Sequence, residues 1–129
     1  MIIVDDKLSL DALAGHLEDV APVATTWSFH FRLLRALRDG SWGALSAAAT
    51  DTARRIAAEP PSGRLVVLDP RAVTGLAAAL AAKHRLNLLA AELVAAAVQH
   101  RASVRLSAQN VGRRWPEVMA AEHVMLDIV

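Results

Sequence analysis

Short β-branched runs, Ile2–Val4, Arg64–Leu68 and Ser103–Leu106, lie far apart in the chain, and the stretches between them carry helical periodicity. Buried strands separated by helices predict an α/β domain with a mainly parallel central sheet of about four to five strands, flanked by helices. His123–Val129 supplies the final strand, and residues 1–129 read as one domain. In such a sheet, ligands bind beyond the carboxyl ends of the strands. Function is therefore expected at Asp5 and Asp6, at Asp69, and at Ser107–Asn110.

Local signals fill in the helices. Ser9 offers an N-cap for a helix with Leu10, Leu13 and Leu17 on one face. After Pro22, Trp27, Phe31, Leu34 and Leu37 recur at helical spacing up to Gly40. That spacing assigns Trp27 and Phe31 to the core and turns Phe29 elsewhere. Another helix is expected over Ala44–Ala58, followed by a loop at Glu59–Gly63, and no strand is expected between Asp6 and Arg64. Asp69-Pro70 is a helix start, with a capping acid followed by a proline whose missing N–H costs nothing there. Asn87 caps Leu88–Gln99, which is apolar nearly all round and so belongs in the centre. A short helix from Gln109 is expected to break at Pro116, with Trp115 as a loop anchor.

Composition narrows the function classes. Hydrophobic residues make up 54% and charged residues 21%, which suits a globular chain. The net charge of +1 shows no overall basic excess, so any nucleic-acid binding has to be local. Cysteine is absent, which removes disulfides, thiolate metal sites and cysteine nucleophiles. His16, His84, His100 and His123 form no ligand spacing. No charge-free apolar run approaches the roughly 18 residues of a membrane span, and no basic leader opens the chain, so a cytoplasmic location away from membranes is expected. Neither a G-x-S-x-G elbow nor a glycine-rich phosphate loop is present.

IIVDD and LVVLDP resemble two strands of response-regulator receiver domains. That resemblance implies Mg²⁺ at Asp5 and Asp6 and a phospho-acceptor at Asp69. Against it stand the lack of a legible second strand and of a lysine after HVMLDIV. The whole chain more closely resembles the PIN-domain family, the fold of VapC-type toxin ribonucleases. MIIVDDKLSLDAL is similar to the family's opening strand-turn, LNLLAAELVAAAV to its DALIAATAL helix, and VRLSAQN to its LVTRN strand end.

The resemblance implies three or four carboxylates holding Mg²⁺ or Mn²⁺, which activate water at a phosphodiester. Asp5 matches the first acid, and Asp6 stands where Thr or Ser is usual. The second acid falls on Phe31, beside His30 and Arg32. The third falls on Ala91, with Glu92 as its neighbour, about 100° around the helix. The fourth falls on Gln109 or Asn110. Asp5 and Glu92 are thus the candidate catalytic residues, and Asp5, Asp6 and Glu92 the candidate metal ligands. One clear carboxylate is a poor match for a cation that dehydrates reluctantly. The reading is a divergent PIN-like protein with weak or lost nuclease activity, binding Mg²⁺, Mn²⁺ or no metal. Its alternative is a noncatalytic module for dimerisation, nucleic acid or protein. The resemblance further implies a homodimer, an antitoxin-like partner and RNA.

Arg32, Arg35 and Arg38 drift around their helix by about 60° per step, giving a broad basic edge. With Arg54-Arg55 and Arg113-Arg114 they are candidates for a phosphate-binding surface, Arg32 and Arg35 foremost.

Overall fold

The computed structural model describes residues 1–13, 17, 22–40, 51, 54 and 65–129. The helix expected over Ala44–Ala58, the loop Glu59–Gly63, and His16, Trp42, Arg55 and Arg64 lie wholly or mostly outside the described residues. The elements are β1 (Ile2–Val4), α1 (Asp6–Leu13), β2 (Val23–Thr25), α2 (Trp27–Asp39), β3 (Val66–Val67), α3 (Thr74–His84), α4 (Leu88–His100), β4 (Ser103–Leu106), α5 (Trp115–Ala121) and β5 (Leu126–Ile128). Short 3₁₀ turns at Pro70–Ala72 and Ala108–Asn110 precede α3 and α5.

The five strands form one parallel sheet in the order β3-β2-β1-β4-β5, flanked by the helices as the alternating pattern predicts. Successive side chains of a strand point to opposite faces, so both faces are covered. Ile3 faces a core built with α3, α4 and α5, including Leu80, Leu93, Val94 and Met119. Val4 faces the other, with Leu8, Leu10 and Leu13 of α1 and Leu33 and Leu37 of α2. Residues Ala90–Ala97 of α4 are all buried, which explains why that helix is apolar nearly all round.

Several sequence expectations need correcting. A strand does lie between Asp6 and Arg64. β2 is only three residues long, too short for a periodicity signal, and it forms because β1 and β3 pair with it on both sides. Thr25 Oγ1 also donates to the Val4 carbonyl (2.9 Å). Asp5, not Ser9, caps α1, accepting from the Leu8 N–H (2.9 Å), while Ser9 sits inside the helix and donates back to the Asp5 carbonyl (2.7 Å). On α2 the buried face is Phe29, Leu33, Ala36 and Leu37. Trp27 and Phe31 are instead 49% and 51% exposed and stack on each other, with centroids 5.7 Å apart. The helix carries two apolar stripes, and the sheet accepts only one. Pro116 opens α5 rather than breaking a helix, and Trp115 is that helix's first residue. The Asp69-Pro70 and Asn87 starts form as expected, each with its side chain accepting a backbone N–H.

Candidate functional site

The strand order reverses direction at β1. The chain first builds outward through β2 and β3, then returns by α3 and α4 to lay β4 on the other side. The topological switch point therefore lies between the carboxyl ends of β1 and β4, the place where open α/β sheets bind ligands. Asp5 and Asp6 follow β1, and Ser107, Gln109 and Asn110 follow β4.

Asp5 is fully buried. Besides the Leu8 N–H on Oδ1, its Oδ2 accepts from the Ser107 N–H (2.7 Å), the Ser107 hydroxyl and Asn110 Nδ2 (3.0 Å). Asp6 accepts on Oδ1 from the Lys7 N–H (3.0 Å) and from the same Asn110 Nδ2 (2.8 Å). Its Oδ2 faces Arg32 Nε at 3.5 Å. Asn110 is seated by the 3₁₀ turn, where its N–H reaches the Ser107 carbonyl (2.9 Å). One amide nitrogen thus bridges two carboxylates. Burial pushes the Asp6 carboxyl above its usual range; Arg32 pulls it down and neighbouring Asp5 pushes it up.

Glu92 is not part of this cluster. It is 5% exposed, and both of its oxygens take Ser28, the N–H (3.3 Å) on Oε1 and the hydroxyl on Oε2. Ser28 lies in the first turn of α2, so Glu92 places a carboxylate on a helix N-terminus from across the core. It is a buried charge with a partner, neither an exposed edge residue nor an arginine pair. Ser28 was not a sequence candidate; its position just after the Thr26 cap was the available signal.

The remaining candidates scatter. Phe31 is on the surface and Ala91 is buried. Arg32 lies over the Phe29 ring at 5.7 Å besides facing Asp6, and Arg35 pairs with Asp39 (3.6 Å) one turn along α2. Arg38 and Arg54 are exposed. Gln109 accepts from Lys7 Nζ (3.5 Å) at the surface beside the switch point. Asp69 pairs with Arg71, which holds its carboxyl below the usual range. It lies two residues beyond β3, and β2 sets β3 two strand spacings, about 10 Å, from β1. Asp5, Asp6 and Asp69 therefore do not converge as a receiver site would need. His30 Nδ1 is buried and finds no hydrogen-bond partner among the described residues, and burial lowers the ring's basicity.

The Mg²⁺ or Mn²⁺ centre implied by the PIN resemblance does not fit this donor set. Among the described residues no three His, Asp or Glu side chains are grouped to hold a metal ion. Asp5 already meets four protein donors, Asp6 faces a guanidinium, and Glu92 is held by Ser28. Fold and site together define a parallel α/β domain whose switch-point carboxylates are satisfied from within. No protein-family model matches the chain, and no curated protein sequence matches it. Among the described residues no helix is long and apolar enough to cross a membrane.

Proposed function

We propose that this chain is a divergent PIN-like protein, related to toxin-type Mg²⁺-dependent ribonucleases, whose nuclease activity is weak or lost and whose fold serves binding. The observation that carries this reading is the saturation of Asp5 by the Leu8 N–H, both Ser107 donors and Asn110 Nδ2. A carboxylate that is to hold a divalent cation must keep lone pairs open toward it, and hard cations need several such oxygens. Here hydrogen-bond donors take that place. The acid has become a tie between the ends of β1 and β4.

The same reading makes the protein a cytoplasmic homodimer with an antitoxin-like or RNA partner. The stacked Trp27–Phe31 pair and Leu88, 71% exposed, supply apolar surface for such association.

The test is a ribonuclease assay on purified protein with Mg²⁺ or Mn²⁺, run beside Asp5→Ala and, because that variant is expected to be unstable, Asp6→Asn and Glu92→Gln. The expected result is no metal-dependent cleavage above background. Cleavage that needs Mn²⁺ and disappears in the folded Asp6→Asn or Glu92→Gln variant overturns the reading in favour of a working endoribonuclease.

A further inference from the structure

A second concavity lies away from the saturated carboxylates, where the α3–α4 turn meets the start of α5. It is an open hollow of about 230 Å³ whose wall includes Arg85, Asn87, Arg113, Arg114 and Trp115. Among the described residues no acidic side chain contributes to it. Four arginines elsewhere are matched by acids: Arg32 with Asp6, Arg35 with Asp39, Arg71 with Asp69 and Arg105 with Asp127. Among the described residues Arg85 and Arg113 have no carboxylate partner. Arg114 donates Nη2 to the His84 carbonyl (2.5 Å), which orients its guanidinium without neutralising it. Three like charges around a small hollow repel one another, and an anion between them relieves that repulsion.

Two local features shape this wall. Arg85 has φ of 54°, the left-handed C-cap position where glycine is favoured, yet a long cationic side chain stands there. At Gly112 a Cβ would come within 2.3 Å of the Trp115 indole nitrogen, so only glycine lets that ring lie against the backbone beside the arginines. Asn87 spends its carbonyl oxygen on the Ala90 N–H (3.0 Å), which leaves its amide group to donate.

We propose that this hollow binds a nucleoside phosphate, free or at the end of an RNA strand. Guanidinium forks match the geometry and charge of phosphate oxygens, and the half-buried indole beside them offers a surface for the base. The volume suits one nucleotide, so the rest of a strand lies outside. The inference rests on this wall alone, and its success or failure does not depend on the reading of the carboxylate centre.

Calorimetric titration of the full chain with uridine 5′-monophosphate, a short 5′-phosphorylated RNA, inorganic phosphate and a hexaglutamate peptide tests it. The expected result is saturable nucleotide binding, tighter than that of phosphate or the peptide and weakening with salt. A log–log salt slope of about −1.4 is expected for the RNA if the two phosphates flanking its end nucleotide are met. Equal affinity for nucleotide and RNA identifies a free nucleotide as the ligand, and tighter RNA binding a strand end. Arg113→Ser is expected to lose at least ~5-fold in affinity. Arg85→Gly is expected to lose as much while its Tm holds or rises by ~2 °C, because glycine relieves the left-handed backbone. That combination separates a ligand contact from a structural role. Nucleotide binding no tighter than phosphate or hexaglutamate, or unchanged affinity in both variants, overturns the proposal.

Discussion

Charge is handled in opposite ways in two parts of this molecule. Around the carboxyl ends of β1 and β4, Asp5, Asp6 and Arg32 are answered by protein groups, with a single amide nitrogen joining the two carboxylates. In the hollow beside Trp115, three arginines stand together with no acid among the described lining residues. A buried charge left unpaired costs several kcal/mol, so it must be matched within the fold. An exposed one is screened by water and is free to wait for a partner. The acids at the ends of β1 and β4 are therefore best understood as structure, and the clustered arginines of the hollow as a place for a ligand.

Removing the matched charges should be costly. Asp5→Ala strands two backbone N–H groups and the Ser107 hydroxyl, and a loss of about 4 kcal/mol in urea unfolding is expected. A loss below about 1 kcal/mol would show that Asp5 is not a structural tie. Asn110→Asp replaces the bridging donor with a third carboxylate. The expected result is a loss of about 2 kcal/mol, with millimolar Mn²⁺ restoring part of it in thermal melts. If the variant ignores Mn²⁺ while the unaltered protein is stabilised by it, the donors are not what displaced the cation.

Smaller effects probe the rest of the comparison. Glu92→Gln removes the anion from the α2 N-terminus and should cost about 1 kcal/mol by denaturant unfolding. His30 supplies a pH test. Burial disfavours its charged form, so the unfolded chain takes up a proton near the ordinary value of 6.5 before the folded one does. Stability is then lost as pH falls through that range. His30→Phe is expected to flatten the Tm slope between about pH 7 and about pH 5, and an unchanged slope assigns that dependence to other groups. At the bottom of the scale, Arg113→Ser should change unfolding free energy by less than about 0.5 kcal/mol, because no described residue pairs with that side chain.

Much of the framework was legible in the sequence because it is written locally. β4 begins and ends where its alternating run does, Asn87 caps α4, and Asp69-Pro70 opens its turn. β2 was not legible: three residues carry no period, and the strand exists through its two neighbours. Both apolar stripes of α2 are spaced for a helix, and only packing against the sheet selects Phe29 over Trp27 and Phe31. At the site, Asp5 and Asn110 were recognisable as strand-end residues, but not as partners. The hollow's wall joins Arg85 to Arg113 and Arg114, which no sequence spacing connects.

By itself the sequence determined the parallel α/β class, the buried centre at α4 and the presence of carboxylates at the end of β1. Hydrophobic period and capping chemistry act over a few residues, so they can be read along the chain. The tertiary structure alone decided what those carboxylates do. Asp5 meets Ser107 across 102 positions and Glu92 meets Ser28 across 64. Whether a buried acid is left open for a cation or closed by donors depends on which distant groups the fold delivers to it.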